Sequence, residues 1–109
     1  MSDGPMRVLK PPQRVRVDPR RIWGAPQHDW PRTMPPTLGE KAASLDIRTG
    51  EEWITATAYR WARLARGTTP TWYLEIELDL LTINGLSGVT LRQWVPWDAV
   101  QPILIATRQ

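Results

Sequence analysis

The stretch that most constrains this chain is Tyr73-Leu74-Glu75-Ile76-Glu77-Leu78-Asp79-Leu80. Apolar and polar residues alternate without a break, the period of a strand with one buried face. Leu74, Ile76, Leu78 and Leu80 are expected to face inward. Tyr73, Glu75, Glu77 and Asp79 are expected to face out. A strand of this kind needs neighbouring strands and something to cover its apolar face.

The 109-residue length suits one domain with an appended arm. There is no cysteine, which excludes disulfides, thiolate metal sites and a cysteine nucleophile. No apolar run approaches a membrane span, and the first residues carry no signal-peptide core, so a cytoplasmic protein without a membrane partner is expected.

Eight of the eleven prolines lie in residues 1–40, which rules out long helices there. This segment also holds the basic excess: Arg7, Lys10, Arg14, Arg16, Arg20 and Arg21 face only Asp18 within residues 5–21. Residues 41–109 are balanced. The expected organisation is a basic, proline-rich arm over 1–40 and a folded unit over 41–109. Within the arm, Gln13–Val17 alternates like a short edge strand. Asp18-Pro19 begins one helical turn, with Asp18 as N-cap and Gly24 as the stop. Val8, Leu9, Ile22, Trp23, Trp30, Met34 and Leu38 are too apolar for a linker. The arm therefore packs on its own folded unit or on a partner.

Four further strands are expected. Leu45 and Ile47 alternate within 42–49. Residues 53–62 are rich in Trp, Ile, Thr and Tyr. A rival helix there would use Thr49-x-x-Glu52 as a capping box and Gly67 as C-cap, but the strand formers favour a strand. After a loop over 65–71 and the strand at 72–80, Asn84-Gly85 and Ser87-Gly88 mark a turn. Thr90–Val95 and Gln101–Thr107 complete the set.

Between these last two lies Trp94-Val95-Pro96-Trp97-Asp98-Ala99-Val100. Pro96 restricts Val95 to extended geometry and cannot donate to a ladder, so pairing should stop there. Asp98 and Ala99 fit a tight turn, and Val100 returns to the core. The segment resembles the end of Src-homology-3-like barrels, where an apolar-Pro-x-x-x-Val pattern passes through a one-turn helix into the final strand. The resemblance implies a mostly β fold: a small five-stranded barrel carrying an N-terminal arm. Peptide-binding members have an aromatic where Ala99 stands, so it implies the fold rather than a proline-peptide groove.

The chemistry-bearing residues are few. Glu75, Glu77 and Asp79 form one carboxylate row, expected to be paired across to Arg60, Arg63 or Arg92 rather than to bind a cation. His28-Asp29 sits in a proline-rich stretch with no nucleophile placed near it. No phosphate loop and no metal-ligand spacing is present. No catalytic residue, metal, cofactor or small-molecule substrate is indicated.

Seven tryptophans and twelve arginines against two lysines are the compositional oddity. The bias fits a GC-rich coding sequence, as in an actinobacterium or one of its phages. Trp and Arg are also the residues that interfaces favour. The sequence thus points to a non-enzymatic protein-interaction or assembly module, docking on a protein partner or on its own oligomer. A phage or accessory-element structural protein fits that plan. In the arm the candidate contacts are Arg14, Arg16, Arg20, Arg21, Trp23 and Trp30. In the folded unit they are Tyr73, Trp94 and Trp97. The alternative is a nucleic-acid binder, with the basic arm on phosphates and the aromatics stacking bases.

Overall fold

A computed structural model describes residues 4–24 and 37–103. These form one antiparallel sheet of five strands with three short helical turns. The strands are β1 (Met6–Val17), β2 (Ile54–Arg66), β3 (Thr69–Leu81), β4 (Gly88–Pro96) and β5 (Val100–Pro102). Their spatial order is β4-β3-β2-β1-β5. β4 and β5 are the two edges, and the sheet is not closed into a barrel. The short helices are α1 (Pro19–Ile22), α2 (Leu38–Ala42) and a 3-10 turn over Trp97–Ala99.

The arm does not stand apart from the folded unit. β1 pairs with β2 on one side and, through Val15–Val17, with β5 on the other. Val15 and Val17 are buried core residues. The expected division at residue 40 therefore cuts through the sheet. The physical reason is that β1 tolerates its prolines. Val8 pairs with Arg60 and Gln13 with Ala58, so Leu9–Pro12 form a bulge opposite Tyr59. β5 does not reach this part, and the missing proline donors break no ladder.

The strand expected over 42–49 is replaced by β1. Leu45 makes only an isolated bridge to Thr82. Asp46 Oδ1 accepts from the Arg48 amide at 2.8 Å, and Arg48 sits at φ 54°. A side chain that satisfies its own backbone in this way competes with a ladder. No helix begins at Thr49-x-x-Glu52; a capping box of other residues stands at α2, where Thr37 and Glu40 bond each other's backbone amides. Thr49-Gly50 is a turn, and 54–66 is strand.

The loop expected over 65–71 shrinks to two residues. Arg66 pairs with Thr69 across Gly67-Thr68, with Gly67 at φ 62°. Positive φ at the first central position alone suits a type II′ hairpin turn. The ribbon from Arg63 to Trp72 runs beyond its neighbours. β1 pairs with β2 only as far as Ala62, and β4 pairs with β3 only as far as Tyr73.

Strict alternation on β3 works as the pattern requires. Leu74, Ile76, Leu78 and Leu80 join Val15, Val17, Ile54, Ala56, Ala58 and Val95 in one core. Each large aliphatic side chain buried here stabilises the fold by about 1.5–3 kcal/mol. Leu9, Ile22, Trp23, Trp61, Leu91 and Val100 pack around its rim.

The proline-marked crossing is built as its residues demand. β4 ends at Pro96, the 3-10 turn follows, and Val100 opens β5. Ala99 is fully buried, and its carbonyl accepts from the Asp18 amide at 2.8 Å. A larger residue at Ala99 would clash with that packing. α1 begins as expected: Asp18 caps it by accepting from the Arg20 amide at 3.0 Å, and Pro19 is its first residue.

Candidate functional site

Two regions gather arginine and tryptophan, and they use them differently. The first is the sheet face opposite the core. The register sets Glu75 between Arg60 and Trp94, and Glu77 beside Arg92. Arg60 Nε lies 2.8 Å from Glu75 Oε1, and Arg92 Nε lies 3.4 Å from Glu75 Oε2. The Arg92 guanidinium stands 3.8 Å from the Tyr59 ring centroid, and that of Arg60 stands 5.4 Å from the Trp94 ring. The Tyr59 hydroxyl donates to Glu77, and the Thr90 hydroxyl donates to Asp79 at 2.7 Å. The bond to Glu77, and after it partial burial, raises the Tyr59 pKa above the ordinary tyrosine value. The whole carboxylate row thus has partners within the sheet. Of the three arginines expected to meet it, Arg60 and Arg92 do so.

Arg63 does not, because it pairs with Trp72 on the core-side face, the face that also carries Trp61 and Leu74. This is the second region. Beneath the projecting β2–β3 ribbon, Arg7, Trp61, Pro70, Thr71, Trp72 and Trp97 line an open cleft of about 600 Å³. β2 and β3 supply Trp61 and Trp72, the 3-10 turn supplies Trp97, and β1 supplies Arg7. The Arg7 and Arg63 guanidinium carbons stand 5.3 and 5.4 Å from the Trp72 ring centroid. Trp61 and Trp72 are half-buried, whereas Trp97 is 58% exposed. A second depression, lined by Arg66, Gly67, Thr69 and Thr71, adjoins it at Thr71. Among the described residues, no carboxylate lines either one.

The expected contact residues fall into distinct places. Trp97 lies in the cleft. Trp94 and Tyr73 lie on the outer face, half-buried, with Trp94 under Arg60. Arg14 and Arg16 are exposed on β1. Arg20 and Arg21 are less available than the sequence implies, since Asp18 lies near both and Arg21 Nη1 also meets Asp98 at 3.1 Å. Trp23 packs against the chain's own core. Trp30, His28 and Asp29 lie outside the described residues.

Arg7, Trp61, Arg63 and Trp72 were not singled out together by sequence reasoning. A two-residue turn at Gly67-Thr68 would have placed Trp61 and Trp72 on one face. Arg7 had no local signal, because it arrives by long-range pairing past a proline bulge.

Comparison with protein-family models, curated proteins and solved structures finds no match to this chain. The site is therefore interpreted from its chemistry. Among the described residues, no group of three or more His, Asp or Glu side chains could hold a metal ion. Within the same residues, no helix is long and apolar enough to cross a membrane. What the cleft offers is apolar indole surface with a cationic rim, suited to an apolar anchor flanked by negative charge.

Proposed function

We propose that this chain is a non-enzymatic protein-interaction module whose docking site is the tryptophan cleft. The carrying observation is that Trp61, Trp72 and Trp97 converge with Arg7 in an open cleft of about 600 Å³. Buried aromatic anchors with arginine at the rim are what dominate protein interfaces. The scaffold reading is a Src-homology-3-like arrangement. It is supported by the strand order β4-β3-β2-β1-β5 and by the single 3-10 turn carrying the chain from β4 to β5. In this reading the N-terminal segment contributes β1 and Arg7 to the scaffold, rather than acting as a free arm.

Selection from a random peptide library tests the proposal. The wild-type chain is expected to enrich segments with an aliphatic or aromatic anchor beside Asp or Glu. Trp97→Ala is expected to lose that enrichment at least about tenfold, the equivalent of 1.4 kcal/mol. Failure of the wild-type chain to enrich any consensus, or a consensus indifferent to Trp97→Ala, would contradict it.

The nucleic-acid reading retains one observation, the exposed side chains of Arg14 and Arg16 on β1. Its test is a mobility shift with a single-stranded oligonucleotide. Six phosphate contacts would weaken binding about a thousand-fold or more between 50 and 200 mM salt. Absence of binding, or binding without that dependence, removes this reading.

A further inference from the structure

We propose that the segment docking in the tryptophan cleft is the β3–β4 loop of a second copy of this chain, so that copies associate head to tail. This rests on the cleft being a docking site, as inferred above, and adds the identity of its occupant.

Leu81, Ile83 and Leu86 are 59%, 61% and 85% exposed, an unusual concentration of aliphatic surface on one short turn. These residues do not sit on a slack connection. Thr82 is nearly buried, and its amide donates to the Ser87 carbonyl at 2.8 Å. Asn84 Oδ1 accepts from the Thr82 hydroxyl at 2.7 Å and from the Leu86 amide at 3.0 Å. Gly85, at φ 73°, closes the turn by donating to the Thr82 carbonyl. From outside, the amides of Ile83 and Asn84 donate to the carbonyls of Ser44 and Ala42. The aliphatic side chains are thus presented on a backbone already fixed, which lowers the ordering cost of binding.

Charge then selects the occupant. The loop's root is flanked by a depression lined by Asp46, Glu51 and Asp79 against Arg48 alone among charged residues. The cleft end carries Arg7 and Arg66, and among the described residues no carboxylate lines it. An aliphatic knob flanked by acidic residues and an aromatic cleft with a basic rim are complementary in sign.

Geometry makes the contact intermolecular. β3 starts at the cleft end with Thr69 and finishes at the loop end with Leu81. Thirteen strand residues separate the two by about 40 Å. One copy cannot insert its own loop, and the pairing of unlike surfaces is heterologous. Repetition closes a ring or extends a filament.

Sedimentation velocity of the full chain over a wide concentration range tests this. It is run with Leu86→Asp, Trp97→Asp and an equimolar mixture of the two. Both positions are exposed, and circular dichroism checks that each variant is folded. The wild type is expected to grow beyond a dimer as concentration rises. Each variant alone should stay monomeric, since the contact needs a loop on one copy and a cleft on another, and every copy of a variant lacks the same one. The mixture should form a heterodimer and stop there, because one intact loop meets one intact cleft. A wild type that stays monomeric throughout overturns the proposal, as does either variant that assembles like the wild type. So does a mixture that forms no heterodimer. If the wild type is monomeric yet still selects peptides in a Trp97-dependent way, the second copy is excluded while the docking cleft stands. If it does neither, both readings fall.

Discussion

The outer sheet face and the hairpin-end cleft are made of the same residue types but satisfy them in opposite ways. On the outer face, Glu75 holds Arg60 and Arg92, the arginines stack on Trp94 and Tyr59, and Glu77 accepts from Tyr59. Its arginines and carboxylates find their partners within the sheet. At the cleft, Arg7 stands over Trp72, and among the described residues no carboxylate lines it. In the proposed reading, the same chemistry supports stability where the partner is on the next strand and recognition at the cleft. Position along the hairpin decides which. The outer lattice lies where β2 and β3 have strands on both sides. The cleft lies where the ribbon outruns them.

This contrast can be broken first at the strand that serves both regions. Deletion of residues 1–17 removes β1, with the core residues Val15 and Val17 and the cleft residue Arg7. The expected outcome is loss of a cooperative urea transition. A truncated chain that still unfolds cooperatively would restore residues 1–40 as a separable arm.

Next in size is Gly88→Ala, at the base of the β3–β4 loop. An added Cβ would meet the Leu80 carbonyl oxygen at 2.7 Å and the Leu81 side chain at 2.8 Å. A cost of about 1–3 kcal/mol is expected from overpacking, read as a lower urea midpoint at unchanged slope.

Glu75→Ala tests the lattice itself. The Glu75 side chain is only 13% exposed and serves two arginines that are 38% and 49% exposed. Solvent screening keeps each pair small, so a loss of about 1 kcal/mol is expected in urea denaturation. No loss would mean that the outer face is as idle for stability as the cleft is held to be.

A smaller effect sits at Tyr59. Its folded pKa is raised, so the folded state holds the phenolic proton more tightly than the unfolded chain does. The resulting stabilisation is fully present below the ordinary tyrosine pKa of about 10 and is lost as pH rises through the folded value. Tyrosinate absorbance should show late ionisation of Tyr59, and Glu77→Gln should bring it down. An unchanged titration in Glu77→Gln would remove Glu77 as the cause.

The legible parts of this fold were those decided by local pattern. The β3 alternation, the choice of strand over helix at 53–62, the Asp18-Pro19 turn and the stop at Pro96 all follow from residues close in sequence. The parts that were not legible depended on distant partners. Residues 44–49 alternate as well as Gln13–Val17 do, but Asp46 turns back on its own backbone, while Val15 and Val17 find β2 and β5. The same holds for the site. Trp97 was identified because it flanks Pro96, but its companions Trp61, Trp72 and Arg7 come together only through the register of three strands. Arg20 and Arg21 looked available because Asp98, which answers Arg21, is far away in the sequence.

The central claim is that the cleft serves recognition and the outer lattice serves stability. The most direct test is the urea midpoint of the Arg7→Ala/Trp97→Ala double variant at a concentration where the chain is monomeric. The account predicts a stability within about 0.5 kcal/mol of wild type, as for surface positions without structural duty. A loss of about 2 kcal/mol or more would contradict it and make the cleft part of what holds the fold together.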